Sequence, residues 1–574
     1  MWNEYRKGRL IMPKKLPYGK SNFADLIESG YAYIDKTRFV ELLENENNTY
    51  QFFIRPRRFG KSLFLSVLEN YYDLSRRDKF DAIFGNLYIG KNPTPEQGTY
   101  TVLRFDFSGL DTDSREEFKH SFSIRVQESV NVFFDRYKGI FANVSEQLQS
   151  MREQKPGIGA LDFAYRAAAD ANVPIFIIID EYDHFANNLI ALGGTYIKEV
   201  RAGGIVRAFY ESLKKGTSSV VKRIFITGIT PMMINLTSGF NMSTDYSLDA
   251  MYNEMFGFTS EEVEWLMQET GVDRNLIKVD MESYYNGYMF NNKGKNKVYN
   301  SQMILFLFNQ ISRSGEQPEH IVDTNLKTDY ARLRRLAENK NNREILFNIV
   351  KDGGVFGNIV EKFSLDELSN ENYFVSLLFY LGMLTNGGVK RGINWLKIPN
   401  YSIKTLYWSY AVAHVQDLDN TAMSTRKLSD VISQMAYDGD IKPYLDFFTE
   451  NFLKRLSNRD LINFDEKYIK VMLLSTLFMS SFYLPVSEDE VTEGYTDIYL
   501  QRHPVKPDIK YEYVFEVKYV KTDAAAAEVE AKSAEARAQI EKYKKDTRFV
   551  NRDDVKFVVI VFKGKGDIEA LEFF

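Results

Sequence analysis

The sequence has 574 residues, far more than one ordinary hydrophobic core holds, so several domains are expected. With 44% apolar and 26% charged residues and a formal net charge of −5, it is neither a disordered polyelectrolyte nor a globally basic nucleic-acid coat. Any contact with nucleic acid must come from a local patch. The absence of cysteine excludes disulfides and thiolate zinc sites and fits a reducing, cytoplasmic setting.

The first segment, MWNEYRKGRLIMPKK, carries charge without a following apolar core, so no secretory signal is expected. Met12 opens MPKKLPYG and is a candidate start. An apolar run, Tyr50 to Ile54, then leads into RPRRFGKS and the amphipathic stretch SLFLSVLENYY. Strand, tight basic loop, Gly-Lys-Ser and helix form the layout of a phosphate-binding loop, in which backbone N–H groups and a helix N-terminus converge on an anion. Arg57, Arg58, Phe59, Gly60, Lys61, Ser62 and Leu63 are the candidate nucleotide-binding residues. Lys61 would reach the β- and γ-phosphates of ATP, and the Ser62 hydroxyl would hold Mg²⁺. The pattern ordinarily opens with glycine, and Arg55 stands there instead.

TVLRFDFSG supplies a further strand, and Val173 to Phe185, VPIFIIIDEYDHF, is an unbroken apolar run ending in acids. Such a run reads as a central strand of a parallel sheet. Ligands in these sheets bind at the carboxyl ends of strands. Asp180 is therefore a candidate Mg²⁺ ligand and Glu181 a candidate base for the attacking water. RIFITGITP is another strand, with Thr227 and Thr230 placed to sense a γ-phosphate. Arg201, Arg207, Lys214 and Lys215 include candidates for an arginine finger, although a solvated helix face is the simpler reading. Residues 1–250 thus read as a doubly wound α/β P-loop domain.

Residues 251–455 read as a mainly helical linking region, with helices from FTSEEVEWLMQETG to IKPYLDFFTENFLKRL and short strands near WLKIPNYSIK. SYYNGYMFNN is an aromatic turn without assigned chemistry, and no internal repeat is present. VMLLSTLFMSSFYLPV is short for a bilayer span and broken by serines and Pro485, so it is expected as a buried helix and no membrane partner is expected.

Residues 456–574 change character again: helix, strand TDIYLQRH, strand YEYVFEVKYV, an Ala/Glu/Lys-rich helix and strand VKFVVIVFK. Glu516 and Lys518 lie two apart on a strand and so share a face, with Asp497 on the preceding strand. Two carboxylates can hold Mg²⁺ or Mn²⁺, and a lysine can hold the attacking water or a phosphate. Glu466 could add an acid, and Gln539 and Tyr543, four apart on the helix, could support the site. The five histidines (His120, His184, His320, His414 and His503) show no metal-ligand spacing; His184, beside the acids, is a candidate nucleotide sensor or a plain structural residue.

Together these residues resemble bacterial AAA-ATPase-like proteins with a C-terminal PD-(D/E)xK nuclease-superfamily domain. The resemblance rests on YIDKT, RPRRFGKS, IIIDEYD, FITGITPMMINLTSGFN, YNGYMF, VYNSQMILFLF and the tail D…ExK with Gln and Tyr on a helix. RPRRFGKS matches the family's own loop, Arg55 included. In the tail Tyr495 replaces the usual Arg of GRxD, while Asp497, Glu516 and Lys518 are retained. The resemblance implies ATP binding, Mg²⁺-linked hydrolysis through Asp180 and Glu181, and a C-terminal restriction-endonuclease-like α/β domain. Its nucleotide state would control a metal-dependent nuclease acting on nucleic acid, with DNA favoured over RNA, in defence or mobile-element biology. A homo-oligomer is among the expected states. The second expectation, of another class, is an ATP-gated binding or signalling protein whose nuclease-like domain is inactive.

Overall fold

The structure is a computed structural model and describes residues 5–6, 9–10, 12–141, 157–184, 204–231, 243–318, 340–363, 370–390, 392–419, 424–455, 465–480, 482–491, 494–564 and 567–574. DYARLRRLAEN, one of the helices expected within residues 251–455, lies outside these residues, as do His320, Arg201 and most of PMMINLTSGFN. The chain forms two compact units. One holds Met1–Glu316, Arg335–Asn342 and Val355–Asn400; the other holds Gln317–Arg334, Arg343–Gly354 and Tyr401–Phe574. Residues 251–455 are therefore shared between the units.

The first unit is built on a short helix, α1 (Phe23–Glu28), and a five-stranded sheet. In chain order its elements are β1 (Tyr50–Ile54), α2 (Lys61–Tyr72), β2 (Thr101–Asp106), α3 (Arg115–Arg136), α4 (Gly159–Asp170), β3 (Ile175–Asp180), α5 (Ile205–Thr217), β4 (Val221–Gly228) and β5 (Thr244–Asp245). The sheet order is β2-β3-β4-β1-β5, and every pairing is parallel. All six β3 residues are buried, which is why that strand reads as continuous Ile and Phe rather than as an alternation. β4 lies between β1 and β3. The loop after β1, the acids after β3 and the Thr-Gly pair ending β4 consequently meet at the carboxyl edge of the sheet, where α/β ligand sites form.

α6 (Ser260–Thr270) opens with a capping box between Thr259 and Glu262 and stops at Gly271, which takes a left-handed φ of 69°. α7 (Ser301–Ser314) opens with the Asn300 side chain accepting from the Gln302 N–H. The hairpin β6 (Thr385–Lys390) and β7 (Ile393–Lys397) is antiparallel. The expected strand near WLKIPNYSIK is thus only its first part. Pro399 interrupts it, and Tyr401 begins helix α8 (Tyr401–Asp419).

The second unit holds α8, α9 (Thr425–Asp438), α10 (Lys442–Asn451), α11 (Glu466–Phe478), β8 (Tyr483–Val491), β9 (Gly494–Arg502), β10 (Glu512–Val520), α12 (Ala526–Tyr543), β11 (Val555–Lys563) and β12 (Asp567–Phe573). Its sheet order is β8-β9-β10-β11-β12. β10 and β11 pair in parallel across α12, and the other neighbours are antiparallel. The expected buried helix through Val486 ends at Phe478, and Tyr483 to Val486 enter β8 instead. β8 is an edge strand, which is where Pro485 is tolerated. Val514, Val559 and Val561 of the sheet pack on Ala536, Ile540 and Tyr543 of α12 in a closed apolar cluster. No described helix is long and apolar enough to cross a membrane.

Candidate functional site

The loop after β1 is held from both sides. Arg55 is fully buried: Nη1 donates to the carbonyls of Ile54 (2.9 Å) and Ser247 (2.5 Å), and Nη2 donates to that of Tyr252 (3.0 Å). Its guanidinium lies 4.1 Å from the Phe290 ring centroid. Burial pulls its pKa down to about 9. Arg55 is therefore a tie between the loop and the segment after β5. On the other side, Asn300 Nδ2 donates to the Arg57 carbonyl (3.2 Å), and the Arg58 carbonyl accepts from Ser301 Oγ (3.2 Å) and Gln302 N (3.3 Å). Phe59 packs edge-on against Tyr288 and Phe290, ring centroids 4.9 and 5.6 Å away. The aromatic turn YNGYMF and the segment VYNSQ thus act as a brace for the loop. Arg58 (φ 68°) and Gly60 (φ 90°) adopt left-handed conformations that turn the chain into α2.

Lys61 is buried, and its Nζ donates to the carbonyls of Arg55 and Pro56, 2.9 Å each. Burial pulls its pKa down to about 8, against the opposing pull of Asp180, Glu181 and Asp183. The Ser62 hydroxyl faces Asp180, setting the loop beside the end of β3. Asp180 also accepts from Thr227 Oγ1 at 2.9 Å and lies 3.6 Å from the Arg104 guanidinium. Burial pushes the Asp180 carboxyl up, with the Ser62 hydroxyl and Arg104 opposing. Thr227, expected to face a phosphate, is buried and gives its hydroxyl to Asp180; the Thr230 hydroxyl donates to Asp183 at 2.7 Å.

Glu181 has φ 50°, a left-handed conformation uncommon for a non-glycine residue and frequent at functional turns. Its Oε2 lies 2.6 Å from His184 Nδ1, and this hydrogen bond leads the forces holding its carboxyl below the usual range. The turn is anchored by its next two residues. Tyr182 donates from its hydroxyl to the Thr230 carbonyl at 2.5 Å. Asp183 accepts from the N–H groups of Ile229 (3.0 Å) and Thr230 (2.7 Å). Gly228 is needed beneath them, since an added Cβ would stand 2.3 Å from Tyr182 Cδ1 and 2.6 Å from Asp183 Oδ1.

Arg57 to Leu63 and Glu181 line one cavity of 470 Å³. It extends from the loop to an apolar end formed by Leu26, Ala32, Tyr33, Leu266 and Leu305. That volume lies in the range of small-ligand sites. Lys36, the lysine of YIDKT, sits on its wall with Nζ 2.6 Å from Glu262 Oε2 and 2.9 Å from the Glu254 carbonyl. This buried pair ties the N-terminal segment to α6. Arg207 pairs with Glu211 and Lys215 with Asp162 on exposed helix faces, so neither reaches this cavity.

The second constellation lies in the C-terminal sheet. Lys518 Nζ is 2.8 Å from Glu516 Oε1, confirming that the two share a face of β10. Glu516 Oε2 is 2.8 Å from the Tyr543 hydroxyl, which also lies 2.7 Å from the Tyr495 carbonyl. Asp497 Oδ2 accepts from the Val517 N–H at 2.8 Å, which places it beside Glu516. Burial pushes both carboxyls up, and the Asp497 charge adds to the shift of Glu516. Asp497 Oδ1 is held at 2.5 Å by Lys470, a residue the sequence pattern did not single out. Lys470 also donates to Glu466 Oε1 at 2.8 Å. The Tyr495 side chain, in place of the family's Arg, is 60% exposed and takes no part. Gln539 is half-buried on α12, one turn before Tyr543.

The donors suit a hard divalent cation. Each of the four oxygens of Asp497 and Glu516 has a named protein partner and retains a lone pair for a metal. Among the described residues no three His, Cys, Asp or Glu side chains converge on one metal position, so water or phosphate oxygens would complete the shell. At the first site the donors are Ser62 and Asp180, again oxygens only.

Comparison with known proteins agrees with this division. Residues 17–237 match the AAA-ATPase-like family, described as predicted AAA-ATPases, and residues 464–570 match the PD-(D/E)XK nuclease superfamily. The chain pairs an AAA-ATPase-like region with a PD-(D/E)XK nuclease-superfamily region. It is similar to an uncharacterised protein encoded in the vnfD 5′ region of Azotobacter chroococcum mcd 1, 27% identical over 445 residues, covering 75% of this chain and 73% of that one. The Walker-type ATPase of Pyrococcus abyssi aligns over 66% of this chain and 96% of its own at 12% identity and a TM-score of 0.40, a likeness too slight to add to the topology. In the AAA-ATPase-like region the residues missed from sequence are Asp183, Tyr182 and Arg104. The second aspartate of DEYD, Asp183, carried the only available signal, since a carboxylate after a buried strand needs partners. In the PD-(D/E)XK region the missed residue is Lys470, which lies four after Glu466 and so on the same helix face.

Proposed function

We propose that the protein binds and hydrolyses ATP at the AAA-ATPase-like site, and that its nucleotide state controls a metal-dependent phosphodiesterase in the PD-(D/E)XK region that acts on nucleic acid. The observation that carries the first half is that Arg57 to Leu63 and Glu181, the residue after Asp180, line one cavity, with Lys61 buried close to both acids. The loop amides and Lys61 would neutralise β- and γ-phosphate oxygens. Glu181, aligned by His184, is the group to accept a proton from the attacking water. The apolar end of the cavity takes the base. Bound Mg²⁺, held by Ser62 and Asp180, would offset the charge of the phosphates.

In the C-terminal region Asp497 and Glu516 would hold Mg²⁺ or Mn²⁺, and Lys518 would orient the attacking water. Tyr543 fixes the Glu516 rotamer. A specific observation favours the second reading, a domain that grips nucleic acid without cutting: both acids are paired with lysines. One experiment decides between them. Single- and double-stranded DNA and RNA are incubated with the full chain and Mg²⁺ or Mn²⁺, with and without ATP. Cleavage that responds to ATP and is lost in Glu516→Ala and Lys518→Ala supports the nuclease. Binding without cleavage in every combination supports the inactive domain. A cytoplasmic setting is part of the proposal and follows from the substrates.

A further inference from the structure

The nuclease-like site holds a second lysine, outside the D…ExK pattern. Lys470 projects from α11, is 19% exposed, and bridges Asp497 Oδ1 (2.5 Å) and Glu466 Oε1 (2.8 Å). We propose that Lys470 fills the position of a second cation, so that this site takes one divalent metal ion rather than two. The inference rests on the metal-site reading above.

Geometry and charge both support it. A pair of metal ions a few ångströms apart needs a carboxylate to bridge them and a further acid to complete the second shell. Asp497 is the central acid here, and Glu466 is the acid beyond it. The Lys470 ammonium sits between these two oxygens and gives each a hydrogen bond. On the other side of Asp497, Glu516 is held by Lys518 and Tyr543. Lys518 is also 3.6 Å from Glu535 and 4.0 Å from Glu466. Glu535 is itself paired with Lys532 at 2.8 Å, so Asp497 and Glu516 are the acids left to hold a cation. An ammonium also brings charge without the strict octahedral geometry a second Mg²⁺ would demand. In this arrangement Lys470 is a positioning residue: it aims Asp497 and neutralises Glu466.

The test counts Mn²⁺ bound to the nucleotide-free full chain by electron paramagnetic resonance of the free ion. Wild-type protein is expected to bind one Mn²⁺ that Glu516→Gln removes. Lys470→Gln, which frees Glu466 and removes the positive charge between it and Asp497, is expected to bind two. Lys470→Arg keeps the charge and is expected to stay at one. Lys470→Met, which retains the aliphatic stem, replaces the Gln variant if that variant melts early. Two Mn²⁺ in the wild type, or one or none in a folded charge-removing Lys470 variant, overturns the proposal. Wild-type Mn²⁺ binding that is unchanged by Glu516→Gln instead overturns the metal-site reading itself.

Discussion

Replacing Arg55 with glycine would restore the usual opening of a phosphate-binding loop, and consensus reasoning expects a gain from it. The structure expects a loss. The Arg55 side chain is fully buried and supplies three hydrogen bonds to the carbonyls of Ile54, Ser247 and Tyr252. Removing a charged donor from buried acceptors costs roughly 1.5–3 kcal/mol per bond when the acceptors stay dry. These losses are not additive, because water can enter the space the guanidinium leaves, and glycine adds backbone entropy of about 0.5–1 kcal/mol. A net destabilisation of about 3–5 kcal/mol is expected for the first unit. Arg55→Lys keeps a charge but loses the fork and the stacking on Phe290, and should fall between. The assay is thermal melting of the full chain with and without Mg²⁺-ATP, together with nucleotide affinity. Arg55→Gly should lower the nucleotide-responsive transition by several degrees and weaken ATP binding. An unchanged transition with equal or tighter ATP binding would refute the view that Arg55 is a structural tie.

Three further outcomes are expected. Lys61 has a pKa of about 8 in the nucleotide-free protein, and phosphates bind its protonated form. ATP affinity should therefore hold below that pH and fall about tenfold between pH 7 and pH 9; Lys61→Arg, charged throughout, should flatten the profile in the same titration. Gly228→Ala drives a methyl into Tyr182 and Asp183 and should cost about 1–3 kcal/mol while slowing ATP turnover more than it weakens ATP binding. Comparing melting with kcat and KM checks this, and a variant with native turnover would show that the β3 turn tolerates repacking. His184→Ala frees Glu181 from its aligning partner, so kcat should drop roughly ten- to a hundredfold with little change in KM; loss of ATP binding instead would make His184 a nucleotide contact.

Much of the first site was legible because its signals are local. A buried parallel strand must be apolar along its whole length, so Ile175 to Asp180 announced both its place and its end. Glycine, lysine and serine before an amphipathic helix announced the loop. The role of Arg55 was not legible, because two of its three carbonyl partners, Ser247 and Tyr252, lie in a segment that only the fold brings to it. The same holds for Asn300 and Tyr288, which brace the loop from more than two hundred residues away. In the tail, Glu516 and Lys518 were readable from the two-residue strand period. Lys470 was not, since nothing in a helix says which strand it will face. β8 was hidden because SEDE reads as a solvated loop, yet an edge strand of an antiparallel sheet can carry such residues.

The central claim is that the loop after β1 and the acid ending β3 form one metal-nucleotide site. The most direct measurement is equilibrium ATP binding to the full chain with and without Mg²⁺, in wild type, Ser62→Ala and Asp180→Asn. Mg²⁺ should tighten ATP binding tenfold or more in the wild type, and that gain should vanish in both variants. Variants that keep the full Mg²⁺ effect would place the metal, and with it the reacting phosphate, somewhere else in the molecule.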